Sequence, residues 1–425
     1  MSFERAGFCG RRLFLAFVIA LVQVSGYAVA QTFRGGIHGT IQDPSGALLR
    51  GAEVKAEDNG TAQIYSTVTT SAGEFTFQDL PVGSYTVSVK LAGFEPLRVS
   101  QVKVQAGSIH NLLEKLAVAS VSSVVDVTAA TVSLDTTTTV QADVLSTNTV
   151  QTVPLNGRDF TQLLTVTPGY AGYGVGFLSA INGAQATQTN WQIEGADNND
   201  EWINTSAVNQ GGVYGIPGVL LPLDAVDEFS LVTQGNAEAG RNPGGTVNLV
   251  LKSGTNSLHG SACYYNRNEA LAASPVFAAN GSTSPKKNEL RNQQYGFSAG
   301  APILKDKTFF FFSFEHQSFD IGNPTLVTEP SQAYQQAALA VLTQYNVPVN
   351  PVSESLLSGL WPASALTGLA QPDNYFNPGT ENGYSNNGIL KLDHAFNDTN
   401  HLSLRAFVHL CPYSGLRQLH GAAAK

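Results

Sequence analysis

From Leu258 onward the chain runs in segments of about ten residues whose apolar side chains tend to fall on every second position. These are LHGSACYYNRN, NQQYGFSAGAPI, KTFFFFSFEHQ, GILKLDHAFND and HLSLRAFVHL. A period of two is the period of a β-strand, whose successive side chains point to opposite faces. About 9 to 11 residues is also the length a tilted strand needs to cross a bilayer. In the fourth segment Leu390, Leu392, His394 and Phe396 share one face, and in the fifth Leu402, Leu404, Ala406 and Val408 do. The third holds four successive phenylalanines, Phe309 to Phe312, which point both ways, so alternation does not orient it. Its place in the series makes it the third strand of a barrel wall. A polar insert over about 318–387 interrupts the series, with one predicted helix in SQAYQQAALAVLTQYN. Inserts of this size fall on the extracellular side of a membrane barrel.

Composition agrees with a chain built of strands. Charged residues are 13% of the total, against roughly 25% in an ordinary soluble domain, and there are 41 glycines among the 425 residues. At the N-terminus Arg5, Arg11 and Arg12 precede the apolar run LFLAFVIALV, and Ala28, Val29 and Ala30 precede Gln31. This is the pattern of a secretory signal peptide over 1–30, with cleavage expected after Ala30 and an N-terminal membrane anchor as the alternative. No other stretch approaches the roughly 20 apolar residues of a membrane helix, so membrane entry would have to use strands. The formal charge of −9 argues against nucleic acid as a partner. Cys9 would leave with the signal, and Cys263 and Cys411 alone make no disulfide framework.

Residues 31–116 read as a β-sandwich of about seven short strands. Alternating runs such as AEVKAE, EFTFQ and SYTVSVKLAG are divided by turn signals at Asp43-Pro44-Ser45-Gly46, Asp58-Asn59-Gly60 and Pro81-Val82-Gly83. Residues 117–150 read as an extended linker rich in Thr, Val and Ser. Within it Ser123-Val124-Val125-Asp126-Val127-Thr128 is a strand-former without evident neighbours. Such a segment suits addition to a partner's sheet edge, and equally one more strand of this chain's own sheets. Residues 151–255 change to a mixed α/β pattern. Phe160, Leu163 and Leu164 share a helical face there, and Pro168-Gly169 closes the stretch.

Two resemblances emerge from these motifs. GTIQDPSGALLRGAEV and TTSAGEFTFQDLPVGSYTVSVKLAGF resemble the carboxypeptidase-regulatory-like, transthyretin-type domain, a non-catalytic attachment grouped with carbohydrate-binding-like folds. PLNGRDF, IEGADNND, DAVDEFSLVTQGNAEAGRNPGGTVNLVLKSGTN and LRNQQYGFSAGAPILKDKTFFFFSFEHQ resemble TonB-dependent outer-membrane receptors, and among them the Oar-like group. The resemblance implies a mainly β chain in the outer membrane: β-sandwich, α/β plug, then the first strands of an incomplete transmembrane β-barrel over 256–425. It implies uptake of a scarce or bulky solute, with the TonB energy-transducing complex and outer-membrane lipid as partners and a carbohydrate or peptide among the candidate solutes. By position, Val124, Val125, Asp126, Val127 and Thr128 would be the TonB-box-like contact.

The chain departs from that family in strand number. Transporters of this type have roughly 22 strands, and this chain offers five before the tail CPYSGLRQLHGAAAK, which lacks alternation. A truncation or shifted frame is the expectation, with no transport by the chain as written, because each open backbone group in lipid costs several kcal/mol.

No catalytic constellation is present: no G-x-S-x-G, no P-loop, no H-E-x-x-H, so no enzyme and no cofactor is expected. His38 and His110 are isolated, which speaks against a zinc peptidase. The acidic cluster of Glu194, Asp197, Asp200 and Glu201 lacks the glycine and spaced Glu of an EF-hand, so it reads as a solvated loop and no metal is expected. Trp191 and Trp202 flank it. With Glu194 and Asp197 they form the candidate substrate-binding set, the alternative being loop anchors. The competing functional class is a secreted or surface carbohydrate- or protein-binding β module without transport.

Overall fold

A computed structural model describes residues 34–410, apart from 120–124, 129–141, 156–157, 159, 173–178, 186–187, 200–220, 234–243, 274–286, 323–324, 329, 361–374, 378 and 399. The signal segment and the tail from Cys411 lie outside the described residues.

Seven strands build the first unit: β1 (Gly35–Gln42), β2 (Glu53–Asp58), β3 (Ile64–Val68), β4 (Glu74–Leu80), β5 (Gly83–Lys90), β6 (Leu97–Val104) and β7 (Ile109–Lys115). They lie in two sheets, β4-β1-β7 and β3-β2-β5-β6, facing each other as a sandwich. Alternation explains the packing. Val54 and Ala56, Phe75 and Phe77, and Val87 and Val89 turn inward with Ile37 and Ile41, all nearly sealed from solvent, while the intervening residues face out. Gly39 is required where it stands, because a Cβ there would lie 2.4 Å from the Phe75 ring. The turn after β1 forms because Asp43 Oδ1 accepts from the backbone N–H of Ser45 at 2.8 Å and of Ala47 at 2.9 Å, with Gly46 at φ +91°.

Part of the stretch read as linker is strand. β8 (Val125–Thr128) extends the larger sandwich sheet by pairing in parallel with β6, Leu97 opposite Val125 and Ser100 opposite Thr128. The half-buried Val127 packs against the sandwich core, and an edge with open N–H and C=O groups is thereby covered. β9 (Ala142–Ser146) and the short helix α1 (Thr147–Thr152) already belong to the next unit.

That inner unit is α/β. After a 3₁₀ segment at Phe160–Val166 and the small hairpin of β10 (Tyr170–Gly172) and β11 (Ser179–Ile181), the chain adds β12 (Asn190–Ile193), β13 (Ala196–Asp197), β14 (Val226–Val232) and β15 (Thr246–Leu251). The sheet order is β13-β12-β15-β14-β9, with β12 and β15 parallel and the other pairs antiparallel. Every residue of β15 is buried, so this sheet is covered on both faces, as its run TVNLVL requires.

The outer sheet takes five long antiparallel strands: β16 (His259–Asn268), β17 (Leu290–Leu304), β18 (Thr308–Gly322), β21 (Thr380–Ala395) and β22 (His401–Leu410), in the order β16-β17-β18-β21-β22. Between β18 and β21 lie β19 (Thr325–Val327), α2 (Gln332–Gln344), α3 (Pro351–Leu360) and β20 (Tyr375–Asn377). β17, β18 and β21 run to 15 or 16 residues, longer than the apolar segments predict. Their ladders continue beyond the apolar part as polar hairpin ends, such as Asp320 opposite Asn382. The phenylalanine run resolves by strict alternation. Phe309 and Phe311 are buried inward with Ser313 and Glu315, while Phe310, Phe312 and Phe314 face out. The outer sheet is not closed among the described residues, in accord with the mainly β, open-barrel architecture the sequence predicts.

Candidate functional site

The chemistry of the molecule concentrates where the inner unit meets the concave face of the outer sheet. Two contacts make the seam. In the first, Phe311 and Ile389 of the outer sheet, each about 1% exposed, enter the same apolar cluster as Phe160, Trp191, Phe229 and Leu249. In the second, charged side chains cross between the units, and each has a reason for its position.

Glu194 stands in the turn between β12 and β13, with φ +47°, and its carboxylate is sealed from solvent. It pairs with Lys391 on β21 and with Arg405 on β22, which sit directly opposite each other in the ladder. Glu194 Oε1 also accepts from the Leu251 N–H at 3.3 Å. Two cations on one carboxylate in a buried seam are mutually dependent, since removal of the anion would leave like charges side by side without water.

The second charged group centres on Arg158, in a left-handed backbone position at φ +58°. Its guanidinium reaches Asp224 at 3.5 Å and Glu315 of β18 at 3.8 Å, and lies 3.9 Å from the centroid of the Tyr265 ring on β16. Both ion pairs go to Nη2, and the Tyr265 ring covers the face of the guanidinium, adding a cation–π contact.

The opposite face of the same strands carries no such groups in its apolar part. Phe297 is 50% exposed, Leu404 54% and Val408 57%, and Phe297, Phe312 and Phe314 form an aromatic cluster. The row Tyr264, Tyr295 and His316 lies in register across β16, β17 and β18, with Tyr384 stacked on His316. Buried polar residues and exposed apolar ones are the inverse of a water-soluble sheet, and an aromatic row bordering the apolar band is a feature of barrels in lipid. No helix among the described residues is long and apolar enough to cross a membrane.

The sequence-predicted residues fall in different places. Trp191 is 2% exposed, edge-on to Phe160 at 6.2 Å between ring centroids, and so serves the inner core with no face open to a solute. Glu194 is engaged as above, and Asp197 is exposed in the β12–β13 hairpin, with Oδ1 accepting from the Asn199 N–H at 2.9 Å. Trp202 and Val124 lie outside the described residues, as do Asp200 and Glu201. Val125, Asp126, Val127 and Thr128 are the four residues of β8. Sequence reasoning passed over Lys391, Arg405, Arg158, Glu315 and Asp224. The signal for Lys391 and Arg405 was their phase: each is a cation alternating with the apolar stripe of its strand, hence on the inward face.

Fold and seam define the class: a lipid-facing open β-sheet wrapped on an inner α/β unit, with a sandwich before it. Residues 250–415 match the outer membrane beta barrel domain family, and residues 36–116 match the carboxypeptidase regulatory-like domain family. The TonB-dependent transporter Oar of Myxococcus xanthus is 26% identical over 260 residues, covering 58% of this chain and 23% of the relative, so the chain spans about a quarter of that relative's length. Among solved structures, the siderophore receptor PirA of Acinetobacter baumannii overlaps 63% of this chain and 31% of its own, with TM-score 0.38 and 14% identity. A ferric enterobactin receptor (PfeA) of Pseudomonas aeruginosa overlaps 63% and 32%, with TM-score 0.37 and 13% identity. The chain is similar to a TonB-dependent transporter over 58% of its length, it has an outer membrane beta barrel segment and a carboxypeptidase regulatory-like domain, and its location is the outer membrane. That relative is a transporter, not an enzyme.

Proposed function

We propose that the chain forms the N-terminal part of a TonB-dependent receptor for uptake of a scarce or bulky solute, with the inner unit as its plug. The observation that carries this reading is Glu194, a carboxylate of the inner unit held by cations on the inward face of strands whose outward face is apolar. The plug therefore fits the wall as a separate, ion-paired body that a pull could displace. Short turns of outer-membrane barrels face the periplasm. The turns at 305–307 and 396–400 are the short ones, so the sandwich beside them is periplasmic. In that compartment Val124, Val125, Asp126, Val127 and Thr128 would offer an extended strand to TonB by sheet-edge addition. Among the described members of the predicted solute-binding set, Asp197, exposed at its hairpin, is open to solvent.

Asp126→Cys, next to the core-packed Val127 on β8, should in the outer-membrane-inserted chain form a disulfide with a cysteine placed on the strand edge of the TonB C-terminal domain. Insertion without any cross-link would remove the TonB assignment. Recovery of the folded chain in the soluble fraction would favour the secreted binding module instead.

A further inference from the structure

The sandwich is held to the rest of the molecule differently from the way the inner unit is held to the outer sheet. Its turns meet the other two units through polar and aromatic contacts. In one, the Asn256 N–H donates to the Gly60 carbonyl at 2.9 Å. In a second, the Gln63 side-chain amide lies 3.4 Å from His401 Nδ1, and the Tyr65 ring lies 6.1 Å from that of His401. In a third, the turn between β6 and β7 reaches β14. There the Ala106 N–H donates to Glu228 Oε2 at 3.0 Å, and Ser230 Oγ donates to the Ala106 carbonyl at 3.4 Å.

Among the described residues, neither apolar cluster spans these contacts. One cluster lies within the sandwich and Val127, and the other joins the inner unit to the outer sheet through Phe311, Ile389 and Phe407. To part the inner unit from the outer sheet, shared apolar surface must be returned to water. To part the sandwich from both, protein hydrogen bonds are exchanged for bonds to water, at small net cost. The sandwich is therefore the more weakly held body.

Its position gives that difference a use. A cavity of about 360 Å³ is lined by Glu194, Lys391 and Arg405 of the seam and by Gly60, Gln63 and Gly83 of the sandwich. A passage opened at the seam leads into a space that the sandwich bounds.

We propose that the sandwich is a detachable lid on the short-turn end of the outer sheet, which undocks as one body while the inner unit stays seated. β8 pairs with β6, and β6 runs into the turn that carries Ala106, so a partner acting on β8 acts on the lid. The use of the lid, to clear the exit when β8 is pulled, rests on the plug and TonB reading above. Its detachment does not.

Residue-resolved amide exchange of the purified full chain in detergent, over a series of low urea concentrations, tests it. The Asn256 and Ala106 N–H groups cross the docking contacts, and the Leu251 N–H, which donates to Glu194 Oε1 at 3.3 Å, reports the seam. Asn256 and Ala106 should lose protection together, at urea concentrations where Leu251 and the strand amides of Val87 and Val89 keep theirs. A disulfide should lock the lid. A Cβ on Gly60 would lie 3.8 Å from the Thr255 Cβ, the ordinary separation of the two Cβ atoms of a disulfide. In a background of Cys263→Ser and Cys411→Ser, oxidised Gly60→Cys with Thr255→Cys should slow exchange at Ala106 by about tenfold, and reduction should restore it. Ala106 belongs to a different contact from the tether, so a merely local tightening would leave it unmoved.

The lid is overturned if Asn256 and Ala106 exchange only together with Leu251, or only together with Val87 and Val89. It is equally overturned if the oxidised tether leaves Ala106 unchanged. No TonB is present in this experiment, so the cross-link at Asp126→Cys can fail while the lid stands, and the lid can fail while the cross-link forms.

Discussion

The sandwich and the outer sheet use the same period-two alternation and put opposite residues inside. In the sandwich the sealed side chains are Val54, Val87, Val99, Phe75 and their neighbours, and the charged residues Lys55 and Glu53 pair in water. In the outer sheet the sealed set includes Gln294, Ser298, Ser313, Glu315, Asn387 and Lys391, while Leu390, Leu404 and Val408 are bare. The sandwich has a core of its own. The outer sheet borrows one, through Phe311 and Ile389 in the inner unit, and balances the remaining inward charges against Glu194 and Arg158. The contrast teaches that alternation specifies a two-faced sheet, and the solvent on the open side decides which face is which.

The sharpest way to break the comparison is to remove the shared anion. Glu194→Gln leaves Lys391 and Arg405 adjacent and uncompensated, and should destabilise the inner unit on the outer sheet by about 3–5 kcal/mol. Urea unfolding in detergent, read by tryptophan fluorescence, measures it. Adding Lys391→Met should recover part of the loss while the sandwich transition stays where it was.

Two neighbouring rings then separate the faces of one strand. Phe311→Ala should cost about 3–5 kcal/mol, as a buried ring in a packed core. Phe312→Ala, one residue on, should cost less than half of that in detergent, because its ring already sits in an apolar solvent. Equal losses would mean that both faces of β18 are packed against protein.

The docking between units should respond to pH through Glu228. Burial pushes its carboxyl up to about 7 from an ordinary 4.5, the Asp227 charge adding to the rise, while the Ala106 N–H that it accepts at 3.0 Å and the Lys103 charge oppose it. The folded form therefore keeps this proton to higher pH than the unfolded chain does. Its stabilising contribution is complete below about pH 4.5, declines as pH rises to about 7, and is level above that, a change on the order of 3 kcal/mol. Glu228→Gln should flatten that slope in a pH series of melting curves.

The smallest effect belongs to the sandwich alone. Thr69 Oγ1 accepts from the Ala52 N–H at 2.9 Å and donates to the Leu49 carbonyl at 2.7 Å, joining the start of β2 to the end of β3. Thr69→Val should lower the sandwich transition by about 1–2 kcal/mol and leave the outer-sheet transition unmoved in the same calorimetric scan.

Much of this architecture is legible in the order of the residues, because strand period and turn chemistry are local. The runs around Val54 and Phe75, the turn at Asp43 and the stripe of Leu402, Leu404, Ala406 and Val408 each announce their conformation within a few residues. The helical face of Phe160, Leu163 and Leu164 also appears, tightened to a 3₁₀ segment. The candidate site was less legible. Glu194 was singled out, but as a member of an acidic loop, since Lys391 lies 197 positions away and nothing in the local pattern marks it as a partner. Trp191 was read as a solute-stacking ring or a loop anchor, and it lies 2% exposed in the core of the inner unit. Burial depends on what packs over a residue, and Phe160 is 31 positions upstream.

The sequence by itself therefore determined the strands, the order of the three units and the apolar stripe of the outer wall, all consequences of short-range steric preference and alternation. The tertiary structure alone decided that Phe309 and Phe311 face inward, that Val125–Thr128 cover the edge of β6, and that one carboxylate gathers two cations at a seam. Each depends on which distant surface excludes water from a given face, and no local run of residues carries that information.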